Sequence, residues 1–347
     1  MKTPISTYER EVLAQPAALA RVLAAYSGKH SPLQRLGRSS LIARPSSLVF
    51  LGMGSSLYAA HPAVCYLASR GIRAQALDAS EYLYYLRKPY ANALHVLISQ
   101  SGESPEVKKI AAQLGKRPYI AITNDSHSSL AKSAPINLPI LGGKEKGTTN
   151  QTHTNTIIVT LALAAWAAGQ NPAAVLRPAR RIPAAMTQLL KNWRAKSEPL
   201  VDYLGMPEHL DLVGRGPSLG IVWQCALILR ELCHLKIAGH TAVQFRHGLI
   251  PSMHHGGALI ALAPRGPTRS LVLRLADEAV AHRANVLVLT DANIRSTPTR
   301  RVLRLPSVPE LFAPLLSIVP LELLGILWAE RRSMDPGEGI AKITKLE

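Results

Sequence analysis

The chain has 347 residues, of which 47% are hydrophobic and 18% charged, and carries a formal net charge of +18. That length exceeds what one hydrophobic core usually organises, so two domains are expected, in the composition range of globular proteins with substantial cores. The surplus of Lys and Arg favours anionic partners such as phosphorylated metabolites. It is spread along the chain without a long basic block, and no nucleic-acid partner is expected.

The N-terminus, "MKTPISTYEREVLAQP", has no apolar core of a signal peptide. Residues 8–26 have apolar positions at helical spacing, with Pro16 as a predicted break or kink. The run "SLVFLG" (47–52) is strand-length. It turns at Gly52 and Gly54 into a helical pattern over 53–71 that stops at Gly71. Further strands are predicted at 74–79, 93–99, 119–123 and 136–141, each followed by a helical segment. Continuous apolar strands alternating with helices predict a parallel sheet covered on both faces. The most apolar stretch, 311–329, contains Pro314, Pro320 and Glu322, and predicts a buried helix rather than a membrane span. Cys65, Cys225 and Cys233 form no C-x-x-C pair and sit in apolar patterns, which suits buried reduced thiols. A soluble, cytoplasmic protein with no membrane partner is expected.

The second half repeats the plan of the first. "LDLVGRGPSLG" (210–220) echoes "LVFLGMGSSLY" (48–58), and "NVLVLTDA" (285–292) echoes "YIAITND" (119–125). Gly52 and Gly214 lie 162 residues apart, Thr123 and Thr290 167, and "GALIALAPRGPT" (257–268) stands where "HVLISQSGES" stood. The expected organisation is an N-terminal helix (1–29), a first domain (30–170), a connector helix (171–196), a second domain (197–330) and a C-terminal tail (331–347).

In doubly wound α/β sheets, ligands bind at the carboxyl ends of strands, where helix N-termini offer N–H groups and partial positive charge. Two such junctions in the first domain are rich in hydroxyls, at Ser55-Ser56 and across "SQSGES" (99–104). Backbone N–H groups and serine hydroxyls suit the acceptor oxygens of a phosphate monoester, and Gly102 would let the backbone approach closely. The competing explanation is that each serine merely caps its own helix. The matching loop of the second half, "APRGPT", has no serine, which places phosphate binding in the first domain only.

At these residues the chain resembles the sugar isomerase (SIS) family of phosphosugar-binding α/β proteins. The similarity is strongest to tandem-SIS isomerases of the glucosamine-6-phosphate synthase type and their stand-alone relatives. It is carried by "GMGSSLYAA" (52–60), "LISQSGESPEV" (97–107), "AITNDSHSSLAKSA" (121–134), the long stretch 212–248 and "IAKITKLE" (340–347). The resemblance implies two flavodoxin-like SIS domains, each a parallel sheet with helices on both faces. It also implies phosphate contacts at Ser55, Ser56, Ser99, Gln100, Ser101 and Ser104, and a sugar-phosphate substrate with no cofactor.

Moving a carbonyl between C1 and C2 of a sugar needs ring opening and a proton shuttle, for which a histidine and a carboxylate of raised pKa are suited. Glu231 lies among Leu227, Ile228, Leu232 and Leu235, where desolvation would raise its pKa; from spacing alone it could equally pair with Arg230 or Lys236. The resemblance implies Glu231 as the general base. It also implies His247, in "FRHGLI", as a ring-opening residue shared across a homodimer interface, and Lys342 as the tail lysine that reaches the sugar carbonyl. His234, His240, His254 and His255 form no metal-ligand pattern, and no metal is expected. The chain departs from the family around the sugar, at Gln224, Ala238, Gln244, Arg246 and "KGTTNQTHTN" (146–155). The implied activity is a phosphosugar isomerase or deaminase acting on a hexose 6-phosphate, with or without an amino group, and without a glutaminase domain. A fructosamine-6-phosphate deglycase and a non-catalytic sugar-phosphate sensor are the alternatives.

Overall fold

The computed structural model describes residues 5–38, 44–254 and 256–336. Its strands form two all-parallel, five-stranded sheets in two compact units. The first unit holds Ala17–Glu145 and Thr149–Arg180. The second holds the described chain from Arg181 onward, with the residues up to Pro16 and Lys146–Thr148.

In the first unit β1 (Ser47–Gly52), β2 (Arg73–Asp78), β3 (Leu94–Ile98), β4 (Tyr119–Thr123) and β5 (Ile136–Pro139) lie in the order β2-β1-β3-β4-β5. The second unit repeats it with β6 (Leu210–Gly214), β7 (Ile237–Thr241), β8 (Ala258–Leu262), β9 (Asn285–Thr290) and β10 (Arg300–Arg304), ordered β7-β6-β8-β9-β10. Both are the flavodoxin-like order, which the resemblance implied, and both are parallel, as the sequence pattern predicts. The central strands β3, β4 and β8 are buried at every position, as continuous apolar runs covered on both faces must be.

β7 and β10 were not singled out in the sequence. Both are edge strands with mostly half-buried positions, and "RRVLR" carries three arginines, so neither shows the apolar run that marks the interior. Three helical expectations are also refined. Thr7–Ser27 is a single helix that contains Pro16. The pattern over 53–71 is two helices, Ser55–Tyr58 and His61–Ala68, the second admitting Pro62 in its first turn, where a missing N–H costs nothing. The connector expected as one helix over 171–196 is divided into Pro172–Leu176, a 3-10 turn Arg177–Arg181 and Ile182–Leu190, followed by Trp193–Leu204. Asn192, with φ 52°, takes the left-handed turn between the last two, which Asn tolerates better than most residues.

One face of each sheet is sealed by the helices packed on it. In the first unit Val107, Ile110 and Leu114 of helix Pro105–Leu114 pack on Val49, Leu97 and Ala121. In the second, Val272, Leu275 and Ala276 pack with Val213, Leu259 and Val286. Burial of each such side chain contributes on the order of 1.5–3 kcal/mol. The helix Ala313–Arg331 lies in a stretch long and apolar enough to cross a membrane, yet 94% of its apolar window is buried inside the protein. Glu322, fully buried within it, accepts a hydrogen bond from the Gln15 side-chain amide at 2.5 Å. Arg194 ties the second unit together by reaching Glu9 and Glu330, each at 2.8 Å.

Candidate phosphosugar site

The carboxyl ends of β1 and β3 are the centre of the first unit's polar chemistry. These strands are hydrogen-bonded neighbours, with Leu48 opposite Leu94 and Leu51 opposite Leu97. Between them the strand order reverses direction, because β1 is followed by a strand on one side and β3 lies on the other. Such a switch point leaves a crevice at the strand ends. The loop carrying Ser55-Ser56 leaves from β1 and the loop Ser99–Ser104 leaves from β3, so both hydroxyl-rich turns open beside it. Gly52 permits the close approach. A Cβ there would stand 3.0 Å from the Ile98 carbonyl and 3.1 Å from the Ser56 Cβ.

Within the second loop the serines do not act as simple caps. Ser104 occupies the position before helix Pro105–Leu114, but its hydroxyl makes no cap bond. It lies 2.9 Å from the Ser99 hydroxyl instead. Ser99 is buried and also accepts from the Gly102 N–H at 3.1 Å. With the Ser99 hydroxyl donating its hydrogen bond to the Ser104 oxygen, the half-buried Ser104 hydroxyl keeps its own proton to donate outward, to an anion's oxygen. Ser101 is exposed, and its oxygen accepts from the Glu103 N–H at 3.2 Å. The Gln100 carbonyl receives the Asn124 N–H from the end of β4 at 3.0 Å.

Two residues that the motif reading passed over hold this loop in place. Glu103 accepts from the Ser129 N–H at 2.7 Å and its hydroxyl at 3.0 Å, and pairs with Lys108 at 2.9 Å. These bonds, the Ser129 N–H first, hold its carboxyl down at about 2. On the first loop, His153 is fully enclosed and its Nδ1 lies 3.1 Å from the Ser55 carbonyl. A carboxylate three residues into a serine loop, and a histidine beginning a Thr- and Asn-rich helix, were the signals available in the sequence.

In the second unit, Glu231 lies near the end of helix Leu219–Cys233 and is half-buried rather than on a solvated face. Burial raises its carboxyl pKa, with a smaller opposing effect from the neighbouring Thr148 hydroxyl. His247 is exposed in the π-helical turn Phe245–Leu249, and Arg246 beside it pairs with Glu278 at 2.8 Å. Gln224, on the Glu231 helix, is fully buried with neither amide atom hydrogen-bonded. His240 is held by Asp211 at 3.0 Å. Among the described residues no group of three His, Cys, Asp or Glu side chains could hold a metal ion. Lys342 and His255 lie outside the described residues.

This geometry agrees with what the chain is similar to. Residues 41–168 match the family model of the SIS domain, a span that takes in the whole first sheet. The chain is 26% identical over 343 residues to a glutamine–fructose-6-phosphate aminotransferase (isomerizing) of Pseudomonas putida, covering 94% of this chain and 56% of that protein. It thus spans a little over half the length of the curated relatives it matches first. Among solved structures it resembles the C-terminal domain of glucosamine-fructose-6-phosphate aminotransferase from Francisella tularensis. That likeness has a TM-score of 0.86 at 19% identity, over 96% of this chain and 98% of that one. It also resembles glucosamine-6-phosphate deaminase from Thermotoga maritima, with a TM-score of 0.73 at 20% identity over 96% and 97% of the two chains. At these identities the structural likenesses establish the fold.

Proposed function

We propose that the chain is a phosphosugar isomerase or deaminase that holds the 6-phosphate of an amino hexose on Ser55, Ser56, Ser99, Gln100, Ser101 and Ser104. The observation that carries this is the Ser99–Ser104 pair. A hydroxyl placed to cap a helix instead turns to its neighbour, beside the switch point of a SIS-matching sheet. The names of the similar proteins, a fructose-6-phosphate aminotransferase and a glucosamine-6-phosphate deaminase, support a sugar 6-phosphate.

In this scheme His247 assists ring opening. Glu231, ionised, takes a proton from one carbon of the C1–C2 pair and returns it to the other, so the carbonyl moves by one carbon. When nitrogen sits on C2, that carbon becomes an imine, which water hydrolyses to a ketone and ammonia. A proton shuttle works best with a pKa near the working pH, and the burial of Glu231 moves it in that direction. Lys342 completes the scheme as the residue reaching the carbonyl. A second SIS-like copy carrying the acid–base residues is supported by the repeated strand order. A homodimer is supported by the exposure of His247 next to Leu249, and a soluble, cytoplasmic enzyme by the burial of its most apolar helix.

The departures at Gln224, Ala238, Gln244 and Arg246 permit a second chemistry, release of an amine from a fructosamine 6-phosphate. Ammonia release from glucosamine 6-phosphate, measured beside amine release from fructosamine 6-phosphate, separates the two. Inorganic phosphate or a hexose 6-phosphate should raise the melting temperature, and Ser101→Ala should blunt that rise. A panel of 6-phosphosugars producing neither a shift nor turnover would refute the assignment.

A further inference from the structure

We infer that His153 is a positioning residue for the phosphate site, holding the Ser55–Ser56 turn in its receiving form through a bond from Nδ1 to the Ser55 carbonyl. This rests on the phosphate-binding role proposed above for those serines.

A carbonyl oxygen can only accept, so the 3.1 Å contact assigns the proton to Nδ1 and leaves Nε2 as an acceptor. That Nε2 is buried with no hydrogen-bond partner. Enclosure also pushes the ring's pKa down to about 4, which keeps it neutral at ordinary pH. An unpartnered buried acceptor is a standing cost that a leucine or phenyl ring in the same space would avoid. What the imidazole adds over an apolar side chain is the bond to Ser55.

That bond falls where it controls the turn. The peptide joining Ser55 to Ser56 is planar, with its carbonyl and N–H on opposite edges. The Ser55 carbonyl takes the Ala59 N–H of its own helical turn at 3.1 Å, and His153 adds a second donor to that edge at 3.1 Å, while the Met53 carbonyl accepts the Ser56 N–H at 3.1 Å on the other. With both edges held, the Cα atoms of the two serines on either side of the plane are fixed, and with them the bases of their side chains. Seven residues along the same helix, and therefore on the same face, the Thr160 hydroxyl reaches the Ala59 carbonyl at 3.2 Å. Helix Gln151–Ala167 thus grips the short helix Ser55–Tyr58 at its first residue and just past its last.

The test measures binding of inorganic phosphate and glucose 6-phosphate by calorimetry in the wild-type chain, His153→Leu and His153→Asn. Leu should weaken both ligands roughly three- to tenfold, the loss of one hydrogen bond, without lowering the ligand-free melting temperature. Asn, which can place an amide N–H near the Nδ1 position, should restore most of the affinity. Nitrogen NMR of the wild-type ring should show the Nδ1–H tautomer with no ligand added. That readout holds even if the Leu variant does not fold. An Nε2–H tautomer, wild-type affinity in the Leu variant, or no recovery with Asn would each overturn the role of His153 alone. Absence of phosphate binding in the wild-type chain would overturn the phosphate site itself.

Discussion

Glu103 and Ser129 are separated by 26 residues, yet the Glu103 carboxylate receives both the N–H and the hydroxyl of Ser129, at 2.7 and 3.0 Å. The contact joins the serine loop after β3 to the start of the helix Ser129–Ser133 after β4. It sets the loop's shape from outside the loop.

The pair has a pH signature of definite sign. Glu103 is held down at about 2, below the usual carboxylate value of 4.5, so it stabilises the fold above that usual value. The contribution is lost as pH falls from about 4.5 towards about 2. In urea denaturation, Glu103→Gln should be slightly less stable than wild type at pH 7, and the difference should narrow across that window. The effect should be small because the ion pair with Lys108 is exposed. A difference that grew on acidification would contradict the assignment.

Ser104 and Ser128 offer a contrast between a binding hydroxyl and a capping one. Ser128 accepts from the Ala131 N–H at 3.3 Å and caps its helix, whereas Ser104 caps nothing. Ser128→Ala should therefore cost about 1 kcal/mol of stability. Ser104→Ala removes only its bond with the buried Ser99 hydroxyl, so it should cost less stability than the Ser128 change while weakening phosphate binding. Calorimetric titration beside chemical denaturation distinguishes the two patterns, and equal loss of stability in both variants would show Ser104 to be structural.

Gly102 is the residue of the loop least able to change. Its φ is +67°, and an added Cβ would lie 2.0 Å from the Ser128 Oγ and 2.4 Å from its Cβ. Gly102→Ala combines left-handed strain with overpacking, a loss of about 2–4 kcal/mol together with phosphate affinity. Chemical denaturation of the variant checks this, and a near-neutral effect would mean that the loop can rebuild itself.

Glu231→Gln should separate stability from turnover. A raised carboxyl pKa means that the folded state resists the ionised form, so Glu231 contributes most below its unfolded pKa and loses that contribution as pH rises through its folded one. At pH 8 the Gln variant should be at least as stable as wild type, bind phosphate normally and turn over no substrate. In the wild type, turnover should fall on the acid side as the carboxylate protonates. Wild-type turnover in the variant would remove Glu231 from the scheme.

The interior strands were legible from the sequence because a strand buried on both faces must be apolar at every position, as in "LHVLI" and "YIAIT". The serine loop was legible for a related reason. Several small hydroxyl residues and a glycine, set between such a strand and a helix, have few structural uses. The edge strands β7 and β10 were not, since most of their positions are only half-buried and their pairing comes from a neighbour rather than from their own pattern. Nor could local sequence say that Ser104 would turn to Ser99 while Ser128 capped its helix; both precede helices, and only their surroundings differ. His153 is the clearest case. It stands 98 residues from Ser55, and nothing local to either residue implies the contact. Composition and periodicity act over one or two turns of chain, which is enough to choose a strand, a helix or a loop. The partner of a buried polar group is set by which elements the sheet brings together, and that is decided only when the whole unit packs.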